Sequence, residues 1–537
     1  MDYNRYPSPD GARTASPRGH RLIAGATGAS AEGQQKGGNV AVTINEDIEC
    51  LACAACMGAC PNEVLEFVDG SSAVVNPDEC IECGMCVDAC PVDAIFPVES
   101  LLSGPKRPYP EINAGYFEAK PPAEASDPAP NFHTWNPPVF KRSIQSDFPM
   151  LDVAVVGTGP AGMYAVEDLL LHTSARVTLI DRLPLAGGLI RYGVAPDHPD
   201  TKKIGETFSR FYSHPRLRMR LGVQIGRDLS AAELAAQHDA VIYAVGASSA
   251  KELGVPGEGL PGSIAATDVV AWYNGHPEAS ATAIDLSGER IVMVGNGNVA
   301  LDVARVLSTD PGRLESTSIS RSALTGLRSS TVREVLILGR RGPAEAAYTS
   351  TELIALTEHE DIDLVVDVTD PRVAEEIAAA TGGKAALLRG VRQERIDFAA
   401  APAIGKRRIV LKFHSESRQI LGRERVEGVV VSEASGTREV RAGQAIRAIG
   451  YHGVPVPGLP FDASSGTIPN AGGRITGMPG NYAVGWIKRG PSGGIGANKT
   501  CVQETIGALI EDVVSGALPV RSRRSSMLAG LLPRLQR

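Results

Sequence analysis

Between Val40 and Ser100 the chain has no Lys or Arg at all, although Asp and Glu stand at positions 46, 47, 49, 63, 66, 69, 78, 79, 82, 88, 93 and 99. That absence marks a small anionic body, either a solvated acidic surface or one that docks electrostatically on a basic partner. Cysteine is equally confined: eight of nine lie between positions 50 and 90, and only Cys501 lies elsewhere. A disulfide framework for the whole chain is excluded, and one local device is implied. No apolar run reaches the roughly eighteen residues of a membrane span, and the N-terminus has neither a hydrophobic signal core nor paired arginines. The expectation is a soluble, cytoplasmic protein without membrane insertion. With a net charge of -8 and no basic surplus, a nucleic-acid partner is not expected either.

What the acidic segment does have is a doubled motif. Cys50, Cys53, Cys56 and Cys60-Pro61 recur thirty residues later as Cys80, Cys83, Cys86 and Cys90-Pro91. Both copies fit C-x2-C-x2-C-x3-C-P, in which three close thiolates grip one cubane and the fourth, carried off by the proline turn, reaches the other cluster. Two [4Fe-4S] clusters are expected, one on Cys50, Cys53, Cys56 and Cys90, the other on Cys80, Cys83, Cys86 and Cys60. Zinc or disulfides could use isolated CxxC pairs, but the crossed eight-cysteine spacing favours iron–sulfur.

At 537 residues the chain can bury several cores, and three folded units are expected. The larger part is organised around Asp152 to Asp181. An apolar run ends in Gly157, Gly159 and Gly162, a helical pattern follows, and a second apolar run closes on an acid. Gly157 permits a tight turn, Gly159 lets the backbone approach a pyrophosphate, and Gly162 allows helix and strand to pack closely. The phosphates would sit on the helix N-terminus, with Asp181 accepting from a ribose. The following LPLAGGLIRYGVAPDHPDTKK reads as a loop of specific texture to which sequence physics gives no role. The Val223–Gly226 and Ala240–Ala247 stretches read as later strands of the same unit.

The pattern then repeats in Ile291-Val-Met-Val-Gly295-Asn296-Gly297-Asn298-Val299-Ala300, which implies a second dinucleotide. Where the first unit has Asp181, the second has Arg340 and Arg341. A carboxylate there would repel a ribose 2'-phosphate, whereas guanidinium groups grip it, so the second nucleotide is read as NADP. Strand and helix patterns are expected to alternate on to about residue 453. Beyond them, Asn481 to Gly496 offers a strand, a glycine-rich turn and a helix through about Ser515, a segment that could return to complete the first site. Residues 1–39 read as a disordered leader or as residues upstream of the natural start, and the proline-rich 101–149 as an extended linker.

The segments VVGTGPAGMYA, GLIRYGVAPDHP, GNGNVALDVAR, GRRGPAEAAYT and GWIKRGPSGGIG together resemble the adrenodoxin reductase-like ferredoxin–NADP reductases. The whole chain resembles their bacterial form fused to an N-terminal ferredoxin. The resemblance implies a multi-domain protein: an α+β bacterial ferredoxin domain (40–100), then an α/β reductase with two Rossmann-like domains. The FAD-binding domain would be discontinuous (150–251 and 454–520) around an NADP-binding insert (252–453), with a basic tail at 521–537. FAD contacts would fall on Ala161, Asp181, Leu189, Ile225, Trp486, Gly493, Gly494 and Ile495. NADP contacts would fall on Asn296, Gly297, Asn298, Val299, Arg340, Arg341, Glu352 and, beside the flavin, Gly493. His198 matches the family histidine near the flavin, which would handle protons. One departure stands at Ala355, where the family carries a second acid.

The implied activity is NADPH–ferredoxin oxidoreduction, with NADPH as donor and an external ferredoxin or ferredoxin-dependent oxygenase as further partner. Three other readings stay open: an NADPH-disulfide reductase, disfavoured because Cys501 stands alone; an amidotransferase-type electron-transfer subunit; and a redox-sensing module without turnover.

Overall fold

The structure is a computed structural model. It describes residues 147–518 almost continuously, without 280–283 and 382, together with short pieces between 41 and 97. The expected leader, the basic tail, most of the proline-rich linker and the motif residues Cys50, Cys53, Cys60, Cys80, Cys83 and Cys90 lie outside the described residues.

In the acidic segment two antiparallel ribbons are described, Ala41–Thr43 on Ile95–Pro97 and Leu65–Val68 on Ser72–Val75. The third cysteine of each motif copy, Cys56 and Cys86, is buried, as are Leu65 and Ile95, each nine residues further on. The thirty-residue sequence repeat is thus also a repeat of burial.

Two seven-stranded sheets form the rest. In the first, the parallel order is Asn481–Ala483, Ala240–Tyr243, Asp152–Val156, Arg176–Asp181 and Leu217–Leu221, with a short antiparallel extension at Asn470–Ala471 and Arg474–Ile475. The strand near residue 481 pairs with one near 241, so the end of the chain returns to the sheet where the reductase part begins. Its strands alternate between two cores. Val153 and Val155 pack with the helix Pro160–His172, while Ala154 and Val156 pack with Ile225, Leu234 and Ile468 on the other face. Burial on both faces is what an all-parallel arrangement requires, and it explains the unbroken apolar run.

The second sheet is wholly parallel, in the order Ser263–Ala265, Gln444–Arg447, Arg290–Val294, Glu334–Leu338, Arg407–Lys412, Ile362–Asp367 and Arg392–Glu394. Helices cover one face. The other is covered by a three-stranded antiparallel meander, Glu416–Leu421, Gly428–Glu433 and Gly436–Arg441, through Ile420, Val429, Val431 and Val440. This corrects the expected strand and helix alternation up to residue 453. The stretch has period-two burial, and Gly436, at φ +123°, makes a tight turn.

Two smaller corrections concern the first unit. Val223–Gly226 is not a strand: the edge strand is Leu217–Leu221, which ends at Gly222 with φ +73°, and Ile225 makes only an isolated bridge to Leu229. The stretch read as a loop after Asp181 contains a helix at Gly188–Tyr192 and enters another at Pro199–Ser209.

Both glycine turns are tightly built. A Cβ on Gly162 would lie 1.8 Å from the Gly157 carbonyl oxygen, and one on Gly157, at φ +112°, would lie 2.3 Å from that of Ala244. Gly162→Ala is therefore expected to lower stability by about 1–3 kcal/mol or more, the usual range for overpacking. Thermal unfolding measures it, and an unchanged midpoint would contradict this packing.

Candidate active site

At the first turn, the helix Pro160–His172 starts with proline and has no acid in its first turn, so its N-terminus presents dipole and backbone N–H groups unopposed. A Cβ on Gly159 would meet nothing closer than 3.9 Å, which leaves the turn open to a phosphate's approach. Asp181, at the end of the neighbouring strand, accepts from the Thr158 N–H (2.8 Å) and hydroxyl (2.5 Å), and from the Leu183 N–H (2.9 Å). The fully buried Thr158 hydroxyl in turn accepts from Gly187 N (3.1 Å). Sequence reasoning missed Thr158, whose only signal was its place between the first two glycines.

The C-terminal segment comes to this turn. Gly485, at φ +73°, lies so near Ala161 that a Cβ there would be 2.6 Å from the alanine methyl. The Trp486 indole N–H is 3.2 Å from the Ser492 carbonyl and 3.4 Å from that of Gly493. The buried Asn498 amide donates to the Gly494 (3.1 Å) and Ile495 (2.9 Å) carbonyls, which fixes the glycine-rich turn on the helix Ala497–Val514. Ala161, Trp486, Gly493, Gly494 and Ile495 are thereby gathered at one turn. Leu189 is partly exposed on the helix beginning at Gly188, whose Cα a Cβ on Gly159 would meet at 3.9 Å. Ile225 is buried in the core on the far face of the sheet.

At the second turn, Asn296 and Asn298 accept from the Ala347 (3.4 Å) and Thr349 (2.7 Å) N–H groups, so the turn is tied to the segment that leads into the helix Ser350–Thr357. Val299 is partly buried behind it. Arg340 and Arg341 follow the Glu334–Leu338 strand, are both exposed, and among the described residues form no ion pair. Two unpartnered guanidinium groups at a strand end are available to an anion.

His198 and Glu352 come together with residues that sequence reading missed. Arg305, on the helix Asn298–Ser308 and 5% exposed, donates to Asp197 through Nε (2.8 Å) and Nη2 (3.0 Å), to Asp302 (2.8 Å) and to Glu352 (3.3 Å). Its Nη2 is also 2.5 Å from His198 Nε2. Because a guanidinium only donates, Nε2 must accept, which leaves a neutral imidazole with its proton on Nδ1. Asp302 and Glu352 approach the same ring nitrogen at 3.6 and 4.0 Å. Burial opposes the charge on Arg305, but the hydrogen bond to Asp197 and the charges of Asp302, Asp197 and Glu352 outweigh it and raise its pKa further. Burial alone would likewise raise the Asp197 pKa, yet the Arg305 hydrogen bond and charge hold it below the ordinary value. Asp302 and Arg305 lie in the GNGNVALDVAR segment, one helical turn apart, and that spacing was the available signal.

Two glycine turns on adjoining parallel sheets, with an acid beyond one and paired arginines beyond the other, define a two-dinucleotide oxidoreductase. The pyridine nucleotide-disulphide oxidoreductase family matches residues 151–341, and the 4Fe-4S dicluster domain family matches residues 32–94. A probable ferredoxin/ferredoxin--NADP reductase of Mycobacterium tuberculosis is 44% identical over 427 residues, covering 76% of this chain and 72% of the relative. The mitochondrial NADPH:adrenodoxin oxidoreductase of Arabidopsis thaliana is 37% identical over 422 residues, covering 71% and 86%. The solved structure of Mycobacterium tuberculosis FprA in complex with NADPH is similar with a TM-score of 0.64 at 42% identity, over 70% of this chain and 87% of that one. The chain belongs to the adrenodoxin reductase-like ferredoxin–NADP reductases, in the form that carries an N-terminal 4Fe-4S ferredoxin domain. Among the described residues no helix is long and apolar enough to cross a membrane.

Proposed function

We propose that the chain is an NADPH–ferredoxin oxidoreductase that holds FAD at the first glycine turn and NADPH at the second. The observation that carries this reading is the asymmetry between the turns, Asp181 beyond one and the exposed Arg340–Arg341 pair beyond the other. When bound, the flavin supplies the conversion of a two-electron hydride donor into a one-electron donor for iron–sulfur centres.

The protein's own part is to bind and orient. Gly157, Gly159 and Gly162 shape the first phosphate cradle, and Asp181 both braces it through Thr158 and presents oxygen to a ribose. Ala161, Leu189, Trp486, Gly493, Gly494 and Ile495 would wall the flavin, with Ile225 supporting from beneath. Asn296, Gly297, Asn298 and Val299 shape the second cradle, and Arg340 and Arg341 grip the 2'-phosphate. Glu352 and His198, held by Arg305, supply polar groups that could accept or pass a proton. The acid missing at Ala355 is offset nearby by Asp302 and Asp197, which keep the cluster anionic. A disulfide-reductase reading is disfavoured, because Cys501 is buried with its sulfur 3.3 Å from the Gly485 N–H, and no other cysteine lies outside the 50–90 region. A subunit of an amidotransferase-type complex would co-purify with a catalytic partner, and a sensor would not turn over NADPH.

The acidic segment is read as holding two [4Fe-4S] clusters on its eight motif cysteines, in a cytoplasmic protein that passes electrons to an external ferredoxin or oxygenase. Anaerobically prepared protein should contain about eight iron per chain, four for each cubane. Analysis near four, or stoichiometric zinc, would refute the crossed assignment. The function itself is tested by NADPH-driven reduction of an added ferredoxin, which should greatly exceed the NADH-driven rate. Equal rates would overturn the assignment of the second site.

A further inference from the structure

The chain passes between its two sheets at Ser249–Ala250 and again at Tyr451–His452, and these strands form an antiparallel ribbon of only two residue pairs. So short a ribbon does not fix an angle between two bodies, and contacts elsewhere must do so. Among the described residues, most of those contacts involve the stretch after Asp181 for which the sequence suggested no role. Its Tyr192 ring meets His276 at 4.8 Å between centroids, Lys202 Nζ donates to Asn274 (2.8 Å), and the Pro196 carbonyl accepts from Ser318. These are single polar or ring contacts at the margin. The Arg182–Glu278 pair is exposed and contributes little.

Arg305 differs in kind. It is buried, it belongs to the helix of the second glycine turn, and it meets Asp197 of the first unit with two parallel hydrogen bonds. The same guanidinium touches His198 from the first unit and Glu352 from the second. We propose that Arg305 is a positioning residue: its bidentate pair with Asp197 latches the second nucleotide's domain onto the stretch after Asp181, and so sets the alignment in which hydride passes between the two sites.

The inference rests on the functional reading above and adds a residue and a purpose to it. Hydride transfer tolerates little misplacement, and a helix that starts at one nucleotide's cradle and ends its second turn on the other domain transmits any change of angle to that cradle. A buried bidentate pair suits the task because removing either partner leaves a charge without its counterpart in a nearly dry place. Lysine would keep the charge without the planar fork.

The test is a double-mutant cycle of Arg305→Met and Asp197→Asn in the full chain, with Arg305→Lys as the conservative variant. Each single change is expected to slow flavin bleaching at saturating NADPH about ten- to hundredfold, the scale of a misalignment near 1 Å. The double variant should be no slower than the worse single one, Arg305→Lys should recover part of the rate, and NADPH affinity should change far less than the rate. Amide hydrogen exchange across residues 189–202 should rise in both single variants, a readout independent of flavin chemistry. Variants that unfold at lower temperature yet bleach at the native rate, or whose rate losses multiply, would overturn the proposal and leave Arg305 as ordinary structural glue. Should Arg305→Met fail to fold, the less buried Asp197→Asn still decides. If NADPH does not bleach even the native chain, the functional reading fails, while hydrogen exchange continues to test the latch.

Discussion

Replacing both Arg340 and Arg341 by alanine is expected to cost NADPH about 2–4 kcal/mol of recognition while sparing NADH, from the usual strength of charge-assisted hydrogen bonds. That corresponds to roughly thirty- to a thousandfold in kcat/KM for the phosphorylated coenzyme. The expectation rests on geometry as well as sequence. Both side chains are exposed beyond the Glu334–Leu338 strand, and among the described residues neither is committed to an ion pair, so their removal should disturb the fold little. Steady-state kinetics with the two coenzymes measure the difference. Equal losses for both would mean that the arginines support the structure and read no phosphate.

The second large effect concerns the fusion. About fifty residues of proline-rich composition separate the acidic segment from the first sheet. A flexible chain of that length reaches roughly 35–40 Å r.m.s.. Such a tether implies an effective concentration of the cluster segment at the flavin near millimolar, by the usual reckoning for short linkers. The tethered segment should therefore outcompete dilute external ferredoxin, and outside partners should draw electrons from it. A chain that starts near residue 145 is expected to retain NADPH-dependent flavin bleaching and to reduce dilute external acceptors at least about tenfold more slowly. Equal rates for the full and shortened chains would show that the tether is not the route. The redox potential of the clusters must be measured alongside, because a potential too low for NADPH would also silence them.

What could be read from the sequence was whatever is local and periodic. Gly157, Gly162 and Gly295 announce themselves because a side chain at those positions would collide with backbone one turn or one strand away. The thirty-residue cysteine repeat is visible for a similar reason, since metal ligation fixes spacing. Arg305 was invisible as a hub. Its partner Asp197 lies 108 residues away, and pairing across two domains leaves no periodic trace. The meander over the second sheet was missed because Val429 and Val431 suit a strand in either a parallel or an antiparallel setting, and only the second core shows which face they cover. Ile225 was read as part of a strand from its apolar neighbours, whereas the positive φ of Gly222 ended the strand before it.

The central claim is that the two glycine turns hold a flavin and NADPH in working contact. Anaerobic titration of the purified full chain with NADPH, with the flavin band followed in the visible spectrum and dithionite added last, tests it most directly. The account predicts that NADPH bleaches the band, that NADH at the same concentration does so far more slowly, and that the iron–sulfur absorbance falls along with the flavin where the cluster potentials permit. A flavin band that dithionite removes but NADPH leaves untouched would contradict it.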